Sequence, residues 1–176
     1  MNTMNRDTMQ TLAAMTMVWL GIVLPGGDVF GQQSGNTFKE QLVGTWLLES
    51  IHAEQPDASK IDPFGANPTG ILIFDGNGHF AAQFVSSGLP KFVSNNRLKG
   101  TPEENKAIVQ GSICYFGTYS VSEADQTLNY HIEGSSFPNF NRTDQKRTFS
   151  LTGDEMKYTG PTSTGGTSHA VWKRAK

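Results

Sequence analysis

Apolar and polar residues alternate in short runs along most of this 176-residue chain, and Gly, Pro, Asn and Asp punctuate the runs. Eight segments read as strands: 42–51, 70–74, 79–85, 112–121, 127–133, 144–151, 155–159 and 168–174. Many short strands with turn residues between them predict an all-β fold, and eight of them suit a small antiparallel barrel. At that strand number the interior is just wide enough for side chains or one small ligand. Closing the sheet on itself also removes the exposed edges that invite aggregation.

Two connections read as tight hairpins. Asp75-Gly76-Asn77-Gly78 joins the second strand to the third, and its glycines and Asn tolerate the positive φ of such turns. Thr152-Gly153-Asp154 does the same between the sixth and seventh. Asp75-x-Asn77 begins like a calcium loop, but the Gly at the sixth position and the Glu at the twelfth are missing. One short helix is predicted over about 101–110. Thr101-Pro102-Glu103-Glu104 is a capping box with proline at the first helical position. Ala107, Ile108 and Val109 give this helix a modest apolar edge, which suits a lid or plug packed on the barrel's opening or wall. The connections 52–69 and 86–100 are long and polar, and long loops in a compact domain are usually functional or mobile.

Strand alternation sorts the faces. Ile113, Tyr115, Gly117 and Tyr119 share one side of their strand, and Cys114, Phe116 and Thr118 share the other. Phe80, Ala82 and Phe84 form a second apolar set. A cavity lined by Trp46, Phe80, Phe84, Tyr115 and Tyr119 would be aromatic with a few hydroxyls, as small-molecule pockets tend to be. The competing expectation is an aromatic core filled by its own side chains. In 127–133, Leu128, Tyr130 and Ile132 alternate with Asn129, His131 and Glu133, which sends His131 and Glu133 outward. In 144–151, Phe149 and Leu151 share a face with Gln145 and Arg147, which brings that polar pair inside. Arg147 could then bind an anion or oxyanion.

Composition limits the function more than it names it. Val18, Leu20 and Ile22 fall within an apolar run, 12–24, that follows Arg6 and precedes Pro25-Gly26-Gly27; this is the pattern of a cleavable signal peptide over residues 1–31, with Gly31 before the cut. The expected product is one periplasmic or secreted domain, 32–176. The sole cysteine, Cys114, has no partner for an intramolecular disulfide, and its apolar surroundings predict a buried, inert thiol. Charge is nearly balanced, with 14 Lys and Arg against 16 Asp and Glu. No basic run points to nucleic acid, and nothing beyond the leader suggests membrane insertion. His52, His79, His131 and His169 lack metal-ligand spacing, so no metal or cofactor is expected. No nucleophile elbow or phosphate-cradling loop is present.

Several segments together resemble a bacterial lipocalin-like domain family. They are Leu42-Val43-Gly44-Thr45-Trp46, Asn67 to Phe74, Arg97 to Glu104, Tyr115-Phe116-Gly117-Thr118-Tyr119, His131 to Ser135 with Phe137-Pro138-Asn139, and Asp144-Gln145. The resemblance implies a lipocalin-type barrel and supplies no catalytic residues. In such barrels the first-strand tryptophan packs under a basic residue near the last strand, so the resemblance implies that Trp46 meets Arg174 or Lys173 at the closed end.

The resulting expectation is a secreted binding module for a small, largely apolar molecule, met by Phe80, Phe84, Tyr115, Tyr119, Gln145 and Arg147. Trp46 and Arg174 would be structural. The alternative is an isomerase, cyclase or hydrolase using His131 and Glu133 as acid and base, which requires both to face the lumen. A second alternative is an interaction protein whose barrel is filled.

Overall fold

The computed structural model describes residues 37–176; the signal peptide expected over 1–31 lies outside the described residues. The elements, in chain order, are α1 (Phe38–Leu42), β1 (Gly44–Glu54), β2 (Lys60–Ile61), β3 (Thr69–Phe74), β4 (His79–Val85) and α2 (Pro102–Gly111). They continue with β5 (Ser112–Ser122), β6 (Thr127–Ser135), a 3₁₀ turn (Pro138–Phe140), β7 (Thr143–Thr152), β8 (Glu155–Pro161) and β9 (Thr167–Arg174). All neighbouring strands run antiparallel in the order β1-β3-β4-β5-β6-β7-β8-β9, and β1 pairs back onto β9 to close an eight-stranded barrel. The two-residue β2 pairs with the far end of β1. Among the described residues no helix is long and apolar enough to cross a membrane.

Both tight hairpins form where expected, between β3 and β4 and between β7 and β8. Asp75 organises the first: its carboxylate accepts from the Asn77 and His79 amides at 2.9 and 2.8 Å. The helix α2 starts as predicted, with the Thr101 side chain accepting from the Glu104 amide and the Glu104 carboxylate accepting from the Thr101 amide. It stands beside the barrel mouth, and Val109 on its expected apolar edge is exposed.

Three features depart from the sequence reading. The first strand begins at Gly44, because Leu42 ends a further helix, α1. Thr37-Phe38-Lys39-Glu40 is itself a capping box, and both of its reciprocal hydrogen bonds are made. That helix lies across the closed end. Phe38 packs edge-on against Phe149, and Leu42 is fully buried. The Glu123 carboxylate in the β5–β6 turn accepts from the Phe38 and Lys39 amides. The second departure is the short β2 inside the 52–69 connection. The third is Cys114, which is exposed. Its strand is apolar on both faces, but alternation puts Cys114 outside with Phe116, which is 54% exposed, while Tyr115 points in.

The core is a column of aromatic side chains. Trp46 and Trp172 are fully buried, with Phe74, Phe80, Phe84, Tyr115, Tyr119, Tyr130 and Tyr158 stacked around them. Phe80 and Tyr130 rings lie 4.2 Å apart, and Phe74 sits 4.8 Å from Tyr119. This packing occupies the closed end and the middle of the barrel among the described residues.

Candidate functional site

Arg147 on β7 is the polar centre of the interior. It is 3% exposed, on the inward face between Gln145 and Phe149. Room for it comes from Gly160 on the adjoining strand: a β-carbon there would lie 2.4 Å from Arg147 Cγ. The guanidinium donates from Nη1 to Gln145 Oε1 at 2.9 Å and from Nη2 to Tyr115 Oη at 3.3 Å. Three tyrosine rings surround it, with centroids at 5.1 Å for Tyr130, 5.6 Å for Tyr158 and 5.9 Å for Tyr115. Aromatic faces attract a cation and offset part of its lost hydration. Arg147 takes part in none of the ion pairs among the described residues. Its Nε is buried without a hydrogen-bond partner.

Burial works against the guanidinium charge, and the oxygens of Tyr115, Tyr158 and Tyr130 outweigh it, so the pKa lies above the ordinary arginine value. Burial likewise raises the Tyr130 phenol far above its usual range, against the opposing pull of the Arg147 charge. Tyr158 is also raised, first by burial and then by neighbouring Tyr115. Near neutral pH Arg147 is therefore a cation beside the neutral phenols of Tyr130 and Tyr158.

A narrow cavity of about 40 Å³ reaches Arg147 from the mouth, lined among others by Phe84, Tyr115, Phe140 and Tyr158. Its rim is formed by Pro63 and Phe64 on one side and Thr162 to Thr164 of the β8–β9 loop on the other. Phe64 stacks on Phe84 at 5.4 Å, which extends the aromatic wall outward. Beside it lies a wider vestibule of about 450 Å³, bordered by Ile108, Val109 and Phe137. Pro63, Phe64, Ile113, Ser163 and Thr164 line both spaces.

The structure brings Phe84, Tyr115 and Arg147 together on this cavity, with Gln145 bound to Arg147 from beyond its lining. Phe80 and Tyr119 do not line it. Phe80 is packed deeper, against Tyr130, and the Tyr119 hydroxyl donates to the Asp75 carbonyl at 2.8 Å in the closed-end turn. Burial and the nearby Asp75 charge raise the Tyr119 phenol. The sequence reading missed Tyr158, Phe140 and Phe64. Tyr158 was legible in the alternation Met156-x-Tyr158, whereas Phe64 and Phe140 sit in segments without periodicity.

His131 and Glu133 are both exposed on the outer wall. His131 Nδ1 lies 2.8 Å from Asp144 Oδ1 on the neighbouring strand, a cross-strand pair facing solvent. The acid–base alternative requires both residues in the lumen, and their outer-wall placement does not meet that requirement. At the opposite end from the mouth, the Arg174 guanidinium stands 4.2 Å over the Trp46 ring.

Over 83 residues the chain is 29% identical to a 4'-hydroxy-3'-methoxypropiophenone carrier protein of Aspergillus oryzae, a match that covers 44% of this chain and 75% of that protein. Among solved structures, a lipocalin-like protein from Bacteroides uniformis is 14% identical with a TM-score of 0.41, covering 76% of this chain and 98% of that one. A mutant of the fluorescent protein UnaG is 12% identical with a TM-score of 0.38, covering 78% and 98%. The family model described as the lipocalin-like domain matches residues 43–175, which is nearly all of the barrel and its closing strand. The chain belongs to the lipocalin-like domain family.

Proposed function

We propose that this protein is a binding or carrier module for a small, largely apolar molecule, held at the barrel mouth and exported with it. The observation that carries the reading is an aromatic cavity that ends on a buried polar group, Arg147, and opens into a wider apolar vestibule. Pockets of this kind enclose the body of a ligand with apolar walls and orient it with a few polar groups. The Aspergillus oryzae protein, named as a carrier of 4'-hydroxy-3'-methoxypropiophenone, supports the same reading.

The inner cavity alone is too small for such a molecule, since 40 Å³ compares with roughly 300 Å³ at the lower end of ordinary ligand sites. Occupancy therefore uses the vestibule, or displaces the 162–166 loop, whose Gly165 and Gly166 already adopt positive φ. The small cavity also favours a second reading, a filled barrel that serves only as an interaction protein.

Native mass spectrometry of protein purified from its own host separates the two. A retained small molecule, together with Nile red fluorescence that rises on binding and falls on competition, is the expected result. A bare mass with no Nile red response and no thermal shift across a library of lipophiles would leave the filled-barrel reading standing. Fractionation of the host would test export, with the protein expected outside the cytoplasm.

A further inference from the structure

We propose, resting on the binding reading above, that the cavity selects organic acids: the carboxylate seats on Arg147 and the apolar body extends into the vestibule beside α2. The argument begins with what Arg147 lacks. It is a buried cation whose hydrogen-bond partners, Gln145 and Tyr115, are both neutral, and its Nε donor has no partner at all. A buried charge without a counter-ion is destabilising, and an apolar residue of similar size would ordinarily serve the fold better. Tyrosine faces compensate only in part.

A carboxylate supplies what is missing. Its two oxygens match the planar fork of a guanidinium, and charge-assisted hydrogen bonds are about twice as strong as neutral ones. A neutral carbonyl could accept one bond but would leave the charge uncompensated. The contrast between the two is larger here than at a surface, because a buried site screens charges less than water does.

The dimensions agree with an amphiphile. The space of about 40 Å³ at Arg147 suits a head group, while the adjoining 450 Å³ suits a larger body. Ile108, Val109 and Phe137 on the vestibule wall are apolar. Arginine at this position is thus a specificity residue for a ligand with a small anionic end and an apolar remainder.

Isothermal titration with a naphthalene carboxylate and its matching carboxamide tests the proposal, using wild-type protein and an Arg147→Met variant. The carboxylate is expected to bind the wild type roughly ten- to a hundredfold more tightly than the amide, because both accept from the guanidinium but only the carboxylate neutralises its charge. In Arg147→Met that preference should vanish while Nile red still binds. Equal affinities in the wild type, or a preference that survives in the variant, would overturn the inference and leave the binding reading intact. Failure of both ligands and of Nile red would defeat the binding reading and this inference with it. Should the variant not fold, the Arg147 Nε–H resonance of the wild type decides: it is expected to move downfield on adding the carboxylate and not the amide, and an unchanged resonance counts against the proposal.

Discussion

The Arg174 guanidinium lies 4.2 Å above the Trp46 ring and donates to the Val43 and Gln41 carbonyls, while the Trp46 indole N–H donates to the Leu42 carbonyl at 2.8 Å. Two side chains from the first and last barrel strands therefore cap the carbonyls that α1 leaves without helical partners. The Gly-x-Trp motif follows from this geometry. Gly44 has φ of +131°, and a β-carbon there would come within 3.0 Å of Arg174 Nη1. The conformation and the space together restrict the position to glycine.

That relationship predicts coupled effects on stability. Trp46→Ala should cost about 3–5 kcal/mol, as for other buried aromatics. Arg174→Met should cost about 1–3 kcal/mol through the lost cation–π contact and charged hydrogen bonds. A double-mutant cycle by urea denaturation should give a coupling of about 0.5–2 kcal/mol, and strict additivity would deny the contact an energetic role. Nile red affinity should be unchanged in Arg174→Met, because the residue is at the end remote from Arg147.

Tyr130→Phe is expected to stabilise the protein. The Tyr130 hydroxyl is buried without a hydrogen-bond partner, so it bears a desolvation cost that phenylalanine removes. The ring contacts with Phe80 and with the Arg147 guanidinium survive in Phe. The expected gain is about 1 kcal/mol, read as a higher urea midpoint with an unchanged slope. A loss of stability would mean that the hydroxyl is engaged after all.

Alternation made the barrel legible because each strand has one wet face, and period two then assigns every residue on it. That is why alternation brings Arg147, Tyr115 and Phe84 inside, and why it favours the outer wall for His131 and Glu133 without closing the lumen alternative, which the structure decides. Periodicity gives a side chain's direction but not its depth. Phe80 and Tyr119 point inward correctly, yet they belong to the packed column below the cavity. Depth is set by register across several strands, for example Phe80 opposite Gly117 and Tyr119 opposite Tyr130, and no single strand carries that information. The rim residues Phe64 and Phe140 were hidden for a different reason: they sit in loops, where position depends on the turn and not on a repeat. Cys114 shows the limit of hydrophobicity itself, since an apolar neighbourhood in sequence became an exposed face in space.

The outer position of His131 and Glu133 predicts silence in binding. His131→Ala and Glu133→Gln should leave the affinity for a bound lipophile unchanged and alter stability by less than about 0.5 kcal/mol, as exposed pairs usually do. Calorimetric titration beside thermal unfolding measures both at once. A marked loss of affinity in either variant would put the pair in contact with the ligand and contradict the outer-wall placement.

Glu104 joins the long 86–100 loop to the helix that follows it. One carboxylate oxygen accepts from the Val93 amide at 2.9 Å and the other from the Thr101 amide at 2.9 Å, and the residue is 8% exposed. These hydrogen bonds, Val93 first, hold the Glu104 carboxyl below its ordinary pKa. A depressed native pKa means that the stabilisation is fully present above the unfolded value and is lost as pH falls through the native one. The loop should therefore stay pinned at neutral pH and loosen below about pH 4, the ordinary glutamate range. Amide exchange read by mass spectrometry should show the Val93 and Thr101 amides protected at neutral pH. Protection should fall with acidification before the barrel strands lose theirs. Glu104→Gln, which retains one acceptor but no charge, should weaken protection at neutral pH and flatten the dependence. A profile identical to the wild type would mean that the loop is held by other contacts.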